Sequence, residues 1–137
     1  MDLKKLVTNS YIDERGSLYE LINSNACADG KIVFGQVYCI SFAQKGIVRG
    51  NHYHKCQKEV FMIVAGKVRL VLKSTITNEI FEDILDASNK LRYTYLIQEN
   101  VAHAMEALEN NSILISLSTE IYNPLNEDKY PYKLIGT

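Results

Sequence analysis

The chain has 137 residues, of which 47% are hydrophobic and 23% are charged, and its formal net charge is -1. These values are typical of globular proteins and exclude a disordered chain, and the length suits a single domain over residues 1–137. The basic residues are scattered, so no nucleic-acid partner is expected. The longest apolar run, Val60 to Gly66, is too short to span a bilayer, and residues 1–16 contain no apolar core of a signal peptide. We therefore expect a cytoplasmic protein with no membrane partner.

In chain order, the sequence consists of short β-type runs separated by turn residues. Turns are predicted at Asp29-Gly30, Lys45-Gly46, Ala65-Gly66, Ser74 to Asn78, Asn89-Lys90 and Asn110-Asn111, so hairpins are expected. The predicted strands are Ser17 to Asn23, Val33 to Ala43, Gly50 to His54, Glu59 to Val64, Lys67 to Leu72, Ile80 to Leu85, Arg92 to Ile97, Ala102 to Leu108 and Ser112 to Ser118.

This pattern predicts an all-β fold. Short antiparallel strands without helices to cover them close best as a jelly-roll β-barrel, because closure removes exposed sheet edges. The tail from about Tyr122 contains both prolines and is predicted to run irregularly over the surface.

Three cysteines, Cys27, Cys39 and Cys56, form no CxxC pair, which argues against a disulfide framework and against a zinc ribbon. We expect them to be reduced. Cys39 alternates within an apolar strand and is interpreted as a packing residue. Cys56 lies two residues after His54 and is a minor candidate for a soft metal ligand.

All three histidines lie in two short segments, Arg49 to Gly66 and Asn100 to Glu106. His52 and His54 are two residues apart, so on a strand both rings project from one face. Glu59 follows after a turn, and His103 could complete the set from a distant strand. Such ligands suit zinc, iron, manganese or nickel, and without a metal they could act as general acid and base. Any one histidine could equally be structural.

The spacing of this segment resembles the first motif of the cupin superfamily. Gly46, His52, His54, Glu59 and Gly66 are separated by five, one, four and six residues, as in that motif. The second cupin motif is partly present before His103, where Gln98 and Asn100 replace the expected Pro and Gly. Asn tolerates a left-handed turn better than most residues, so the turn geometry can persist.

Other segments resemble RmlC-like cupins that act on nucleotide-linked keto sugars. They are Asp13-Glu14-Arg15-Gly16, the stretch from Gly35 to Lys55, Glu120 to Pro124 and Asp128-Lys129-Tyr130. The chain is similar both to the sugar 3,4-ketoisomerases and to the C-terminal cupin domain of the capsular-polysaccharide-assembling epimerase/reductase. Lys55 is shared with the former and Glu59 with the latter.

The resemblance implies an isomerase of a dTDP- or UDP-linked 4-keto-6-deoxy sugar in surface polysaccharide biosynthesis. The reaction would be a 3,4-ketoisomerisation or a C3 epimerisation, through proton abstraction at C3 and an enediol or enolate. This chemistry requires no cofactor, although a divalent metal could bind His52, His54, Glu59 and His103.

The resemblance also implies roles for individual residues. Tyr38 would shuttle a proton, and the pair His52 and His54 would supply the base, with His54 the first candidate. Substrate would be bound by Arg15, Arg49, Lys55 and Arg69, the first two through the diphosphate. Each tyrosine or arginine could instead be a packing or solvated residue.

Two other functions are compatible with these motifs. One is a metal-dependent cupin of another class, such as a dioxygenase, and the other is a non-catalytic sugar-binding or regulatory cupin. A homodimer is expected, because cupins of this kind commonly pair through edge strands.

Overall fold

The computed structural model describes residues 4–23 and 34–136, which form strands, turns and loops without a helix. None of the described residues forms a helix that could cross a membrane. The strands are β1 (Lys4–Thr8), β2 (Ser10–Asp13), β3 (Gly16–Tyr19), β4 (Gln36–Phe42), β5 (Val48–Tyr53), β6 (Glu59–Ala65), β7 (Lys67–Ser74), β8 (Ile80–Asp86), β9 (Arg92–Ile97), β10 (Val101–Ala107), β11 (Ser112–Ser118) and β12 (Tyr130–Pro131). The predicted all-β class is confirmed.

Two antiparallel sheets enclose the core. The first has the strand order β1-β9-β6-β11-β4 and the second the order β12-β5-β10-β7-β8, while β2 and β3 form a separate hairpin. Phe61 and Leu114 from the first sheet pack with Leu70 and Met105 from the second, and all four are at most 3% exposed. Each such side chain stabilises the fold by about 1.5 to 3 kcal/mol. This sandwich is the predicted cupin jelly roll.

Most predicted turns carry the chain from one sheet to the other. Gly66 links β6 to β7, and its φ of +75° favours glycine. A Cβ at this position would lie 2.3 Å from Ser112 Oγ, so the close approach also requires glycine. Within residues 4–23 and 34–136, consecutive strands pair only in β2/β3 and β7/β8. The expectation of hairpins is therefore wrong at Lys45-Gly46, Ala65-Gly66, Asn89-Lys90 and Asn110-Asn111. The predicted turn Asp29-Gly30 lies outside the described residues.

The prediction that Cys39 is a packing residue is wrong, because β4 is an edge strand. Cys39 is exposed. In the described chain β4 pairs with β11 alone, so alternate residues of β4 turn towards solvent. Cys27 lies outside the described residues.

The tail is irregular from Tyr122 as far as β12, but its end is part of the core. The short β12 pairs with β5, and Ile135, which is 6% exposed, packs against Val71 and Ala104.

No strand was predicted at β1 or β2, because their residues lack a long alternating pattern.

Candidate active site

The three histidines meet between the two sheets. His52 lies on β5, His54 directly follows that strand, and His103 lies on β10 opposite His52. Glu59 begins β6 of the other sheet. All four residues line one cavity of about 800 Å³. The predicted proximity of these side chains is what the structure shows.

A β-bulge shapes the strand that carries the histidine pair. His52 pairs with His103 and Gly50 with Ala104, so Asn51 is an extra residue in β5. Both Gly50 and Asn51 have positive φ values, of 88° and 57°. A Cβ at Gly50 would lie 2.7 Å from the carbonyl oxygen of His103, so the close approach of β5 to β10 requires glycine.

The turn before His103 keeps its geometry without glycine. Asn100 replaces the expected Gly and adopts a φ of 63°. Its N–H donates to the carbonyl oxygen of His54 at 2.7 Å. The asparagine therefore supplies the left-handed turn that the motif needs.

His54 and Glu59 form a buried ion pair. Glu59 Oε1 lies 2.5 Å from His54 Nε2, and the two side chains are 11% and 9% exposed. His54 Nδ1 donates to the backbone carbonyl of Asp128. Burial lowers the pKa of His54, but the hydrogen bond and charge of Glu59 outweigh burial and raise it. Burial likewise raises the pKa of Glu59, yet the hydrogen bond from His54 and the nearby imidazoles hold it at about 2. The contact with Glu59 therefore favours the imidazolium form of His54.

The pKa of His52 shifts in the opposite direction from that of His54. Burial, together with the neighbouring rings of His103 and His54, lowers its pKa to about 3. Its Nε2 lies 3.1 Å from Nε2 of His103, whose own pKa is lowered by burial. Two neutral imidazoles can share one hydrogen bond there, because one ring donates and the other accepts. His52 is a neutral ring on the cavity wall.

The imidazoles also fit a divalent metal. One nitrogen from each of His52, His54 and His103 lies within 4.8 Å of the others. The 3.1 Å separation of two Nε2 atoms is close to the roughly 3.3 Å expected between nitrogens bound to one tetrahedral zinc. Glu59 Oε2 lies 3.9 Å from His103 Nε2, which places a carboxylate beside this group. Cys56 is exposed and lines the cavity outside the group of imidazoles.

Tyr38 and Arg49 line the outer part of the cavity. Tyr38 is 45% exposed, and its hydroxyl accepts a hydrogen bond of 2.7 Å from Gln36 Nε2. Arg49 is exposed and donates to the carbonyl oxygen of Ser41 at 3.1 Å. Both side chains can therefore reach a ligand that enters the cavity.

Three predicted substrate-binding residues do not line this cavity. Arg15 is held by Asp13 at the turn between β2 and β3. The Nζ atom of Lys55 lies 4.1 Å above the ring of Tyr130. Arg69 forms ion pairs with Glu82 and Glu106, because its side chain projects from the face of β7 opposite to the buried Val68 and Leu70. Tyr53, the residue between the two neighbouring histidines, stacks on Tyr130.

One wall of the cavity comes from the tail, to which the sequence assigned no role. It includes Glu120, Tyr122, Glu127, Asp128 and Lys129. The carboxylate of Asp128 accepts hydrogen bonds from the N–H groups of Lys55, Cys56 and Gln57, at 2.7, 2.8 and 3.0 Å. The family resemblance of Asp128-Lys129-Tyr130 was the only signal available, and it does not show what the segment contacts.

A family profile described as "Polysaccharide biosynthesis C-terminal domain" matches residues 11–130. The chain belongs to this family. A search of curated proteins finds no significant match.

Three solved structures of other proteins share the fold of this chain. The rmlC epimerase of Mycobacterium tuberculosis is 24% identical with a TM-score of 0.78, and the alignment covers 91% of this chain and 66% of the epimerase. The capsular polysaccharide assembling protein CapF of Staphylococcus aureus is 26% identical with a TM-score of 0.67, over 93% of this chain and 34% of CapF. The sugar 3,4-ketoisomerase QdtA of Thermoanaerobacterium thermosaccharolyticum, solved with TDP, is 24% identical with a TM-score of 0.73. The alignment covers 93% of this chain and 85% of QdtA.

These comparisons confirm the predicted resemblance to RmlC-like cupins. The chain spans about a third of the length of CapF and about two thirds of the length of the epimerase. The two likenesses at 24% identity establish the fold.

Proposed function

We propose that this chain is an isomerase of a dTDP- or UDP-linked 4-keto-6-deoxy sugar in polysaccharide biosynthesis. The observation that carries the proposal is a neutral His52 beside the ion pair of His54 and Glu59, at the floor of a cavity large enough for a nucleotide sugar. The names of the structural relatives, an epimerase and a 3,4-ketoisomerase, support the same class of reaction.

The reaction begins with removal of the C3 proton, which the neighbouring C4 ketone acidifies. We assign the acceptance of this proton to His52, because the ring lines the cavity and is neutral at physiological pH. His54 is the weaker candidate for the base, because Glu59 raises its pKa and its Nδ1 is bound to the Asp128 carbonyl. This assignment reverses the order suggested by family resemblance, in which His54 was the first candidate.

The electron pair released at C3 moves to the C4 oxygen and gives an enolate. The imidazolium of His54, held by Glu59, stabilises this developing negative charge and can donate a proton to it. Return of a proton to C3 from the opposite face inverts that carbon. Return at C4, with loss of the C3 hydroxyl proton, gives the 3-keto isomer.

Tyr38 is our candidate to return the proton, because it lines the cavity from β4. Arg49 and Lys129 supply positive charge on the same cavity and would bind the diphosphate. The site therefore separates proton transfer at the floor from phosphate binding further out.

A divalent metal held by His52, His54 and His103 would supply Lewis acidity towards a carbonyl oxygen. The close approach of the three imidazoles thus favours a second candidate, a metal-dependent cupin. Metal analysis of purified protein, with melting temperatures after addition of zinc, iron or manganese, tests it. Bound metal at one equivalent and a higher melting temperature would support this candidate. The absence of both effects would exclude it.

The experiment that tests the isomerase is proton NMR with dTDP-4-keto-6-deoxyglucose, and then its UDP counterpart, in deuterated buffer. Loss of the C3 proton signal with a 3-keto product identifies a ketoisomerase. Loss of that signal with an inverted C3 and a retained C4 ketone identifies an epimerase. Absence of deuterium at C3 in both sugars contradicts the proposal and leaves the metal-dependent cupin and a non-catalytic sugar-binding protein as the alternatives.

We also propose a homodimer. In the described chain β4 pairs with β11 alone, and Val37 on its outer side is 51% exposed. Light scattering at micromolar concentration should give twice the mass of 15.6 kDa. A monomeric mass would contradict the proposal.

A further inference from the structure

The segment that carries both catalytic histidine candidates is bound along its outer side by the tail. Tyr130 pairs with Tyr53, and Pro131 pairs with His52. Further along the tail, Ile135 is 6% exposed and packs against the second sheet. The tail therefore lies against β5 from the end of the histidine pair to the bulge.

Asn51 holds this tail with every polar atom of its side chain. Its Oδ1 accepts from the N–H groups of Leu134 and Ile135, at 2.8 and 3.1 Å, and its Nδ2 donates to the carbonyl oxygen of Ile135 at 3.1 Å. Its backbone carbonyl accepts from the N–H of Tyr132 at 2.8 Å. One residue thus makes four hydrogen bonds to the tail.

The same tail fixes the imidazole of His54. The backbone carbonyl of Asp128 accepts from His54 Nδ1, which forces that nitrogen to carry a proton and directs Nε2 to Glu59. The carboxylate of Asp128 also binds three N–H groups of the turn that follows His54. The position of Asp128 therefore sets the orientation of the ring.

We propose that Asn51 is a positioning residue, which locks the tail at 134–135 so that the Asp128 carbonyl stays against His54. Asn51 suits this role because it is the extra residue of the bulge. Its φ of 57° turns the side chain away from the cavity while the preceding Gly50 and the following His52 line it. The role in turnover rests on the proposed function, but the orientation of His54 can be measured without substrate.

Asn51→Gly tests the proposal, because glycine accepts the positive φ and removes only the side-chain hydrogen bonds. Asn78→Gly is the matched control, since Asn78 has a φ of 65° in the turn between β7 and β8. Asn51→Asp is the conservative variant, because it keeps the acceptor for two N–H groups and loses the donor.

The first readout is the proton signal of His54 Nδ1–H in protein labelled with nitrogen-15. We expect Asn51→Gly to exchange this proton with solvent roughly tenfold faster than wild type, with faster amide exchange at 132–135. Asn51→Asp should give an intermediate rate, and Asn78→Gly should match wild type. An unchanged His54 signal in Asn51→Gly, in a folded protein, would overturn the proposal.

The second readout is turnover. Asn51→Gly should lower kcat roughly tenfold with little change in KM, because a displaced catalytic group costs rate rather than binding. An equal loss of kcat in Asn78→Gly would also overturn the proposal. If wild type shows no turnover, the proposed function fails, while the His54 signal still decides the role of Asn51.

Discussion

The floor of the cavity and its rim are built in different ways. At the floor, His54 and His103 are 8% and 1% exposed and are held by strands or directly beside them. At the rim, Tyr38 lies on an edge strand and Tyr122 in the tail, and they are 45% and 51% exposed. Packed strands can hold ionised groups at fixed distances, whereas exposed segments can vary without unfolding the protein. We therefore expect the floor to determine the chemistry and the rim to determine the substrate.

The largest expected effect is the loss of His52, the base that we propose at the floor. His52→Gln keeps a neutral polar side chain but cannot accept the proton, so C3 exchange should fall about a thousandfold. Deuterium incorporation measured by proton NMR checks this result. The melting temperature serves as the control for folding. Wild-type exchange by His52→Gln would show that another group is the base.

Glu59→Gln should affect both activity and stability. Loss of the carboxylate removes the partner of His54, so C3 exchange should fall about a hundredfold. The free energy of unfolding should fall by about 1.5 to 3 kcal/mol at neutral pH. Exchange by NMR and urea unfolding measure the two effects.

The stability effect of Glu59→Gln should depend on pH. The folded pKa of Glu59, at about 2, is below the ordinary 4.5, so its contribution is complete above about pH 4.5 and is lost as pH falls towards 2. The difference between wild type and Glu59→Gln should therefore shrink over that range. A constant difference from pH 7 to pH 2 would contradict the ion pair.

At the rim, Tyr38→Phe should lower kcat about tenfold to a hundredfold, because it removes the hydroxyl that we propose to return the proton. Tyr122→Phe is the matched control, since this tyrosine lines the same cavity with its hydroxyl bound to Glu127. Its kcat should change by less than about threefold. Equal losses in the two variants would mean that Tyr38 has no special role in proton transfer.

The smallest expected effect concerns binding of the diphosphate. Arg49→Ala should raise KM about tenfold with little change in kcat, as expected for one charge-assisted contact. Arg69→Ala should leave KM unchanged, because its guanidinium is held by Glu82 outside the cavity. Steady-state kinetics distinguishes the two variants, and the reverse order would show that substrate binds at another face.

Much of the floor could be predicted from local patterns. The spacing of His52, His54 and Glu59 placed them on adjoining segments, and the tolerance of asparagine for a left-handed turn explained Asn100. Strand positions from β4 to β11 followed from alternation and turn residues. Short-range spacing is enough for these features because they depend on neighbouring residues.

Other features depend on contacts between distant parts of the chain. The turn at Gly66 looks like a hairpin turn, yet it carries the chain between sheets, because burial of both apolar faces decides which strands pair. Cys39 alternates like a buried residue and is exposed, since the edge position of β4 is a property of the whole sheet.

The sequence by itself determined the all-β class, the cupin motif and the set of candidate groups for proton transfer. The tertiary structure decided in which direction the pKa of each imidazole shifts, because the shift depends on burial and on the distances to Glu59 and the Asp128 carbonyl. It also decided that the tail forms a wall of the site and that Arg15, Lys55 and Arg69 lie away from it. Residue type and spacing specify which chemistry is available, whereas protonation and access arise only when distant segments pack together.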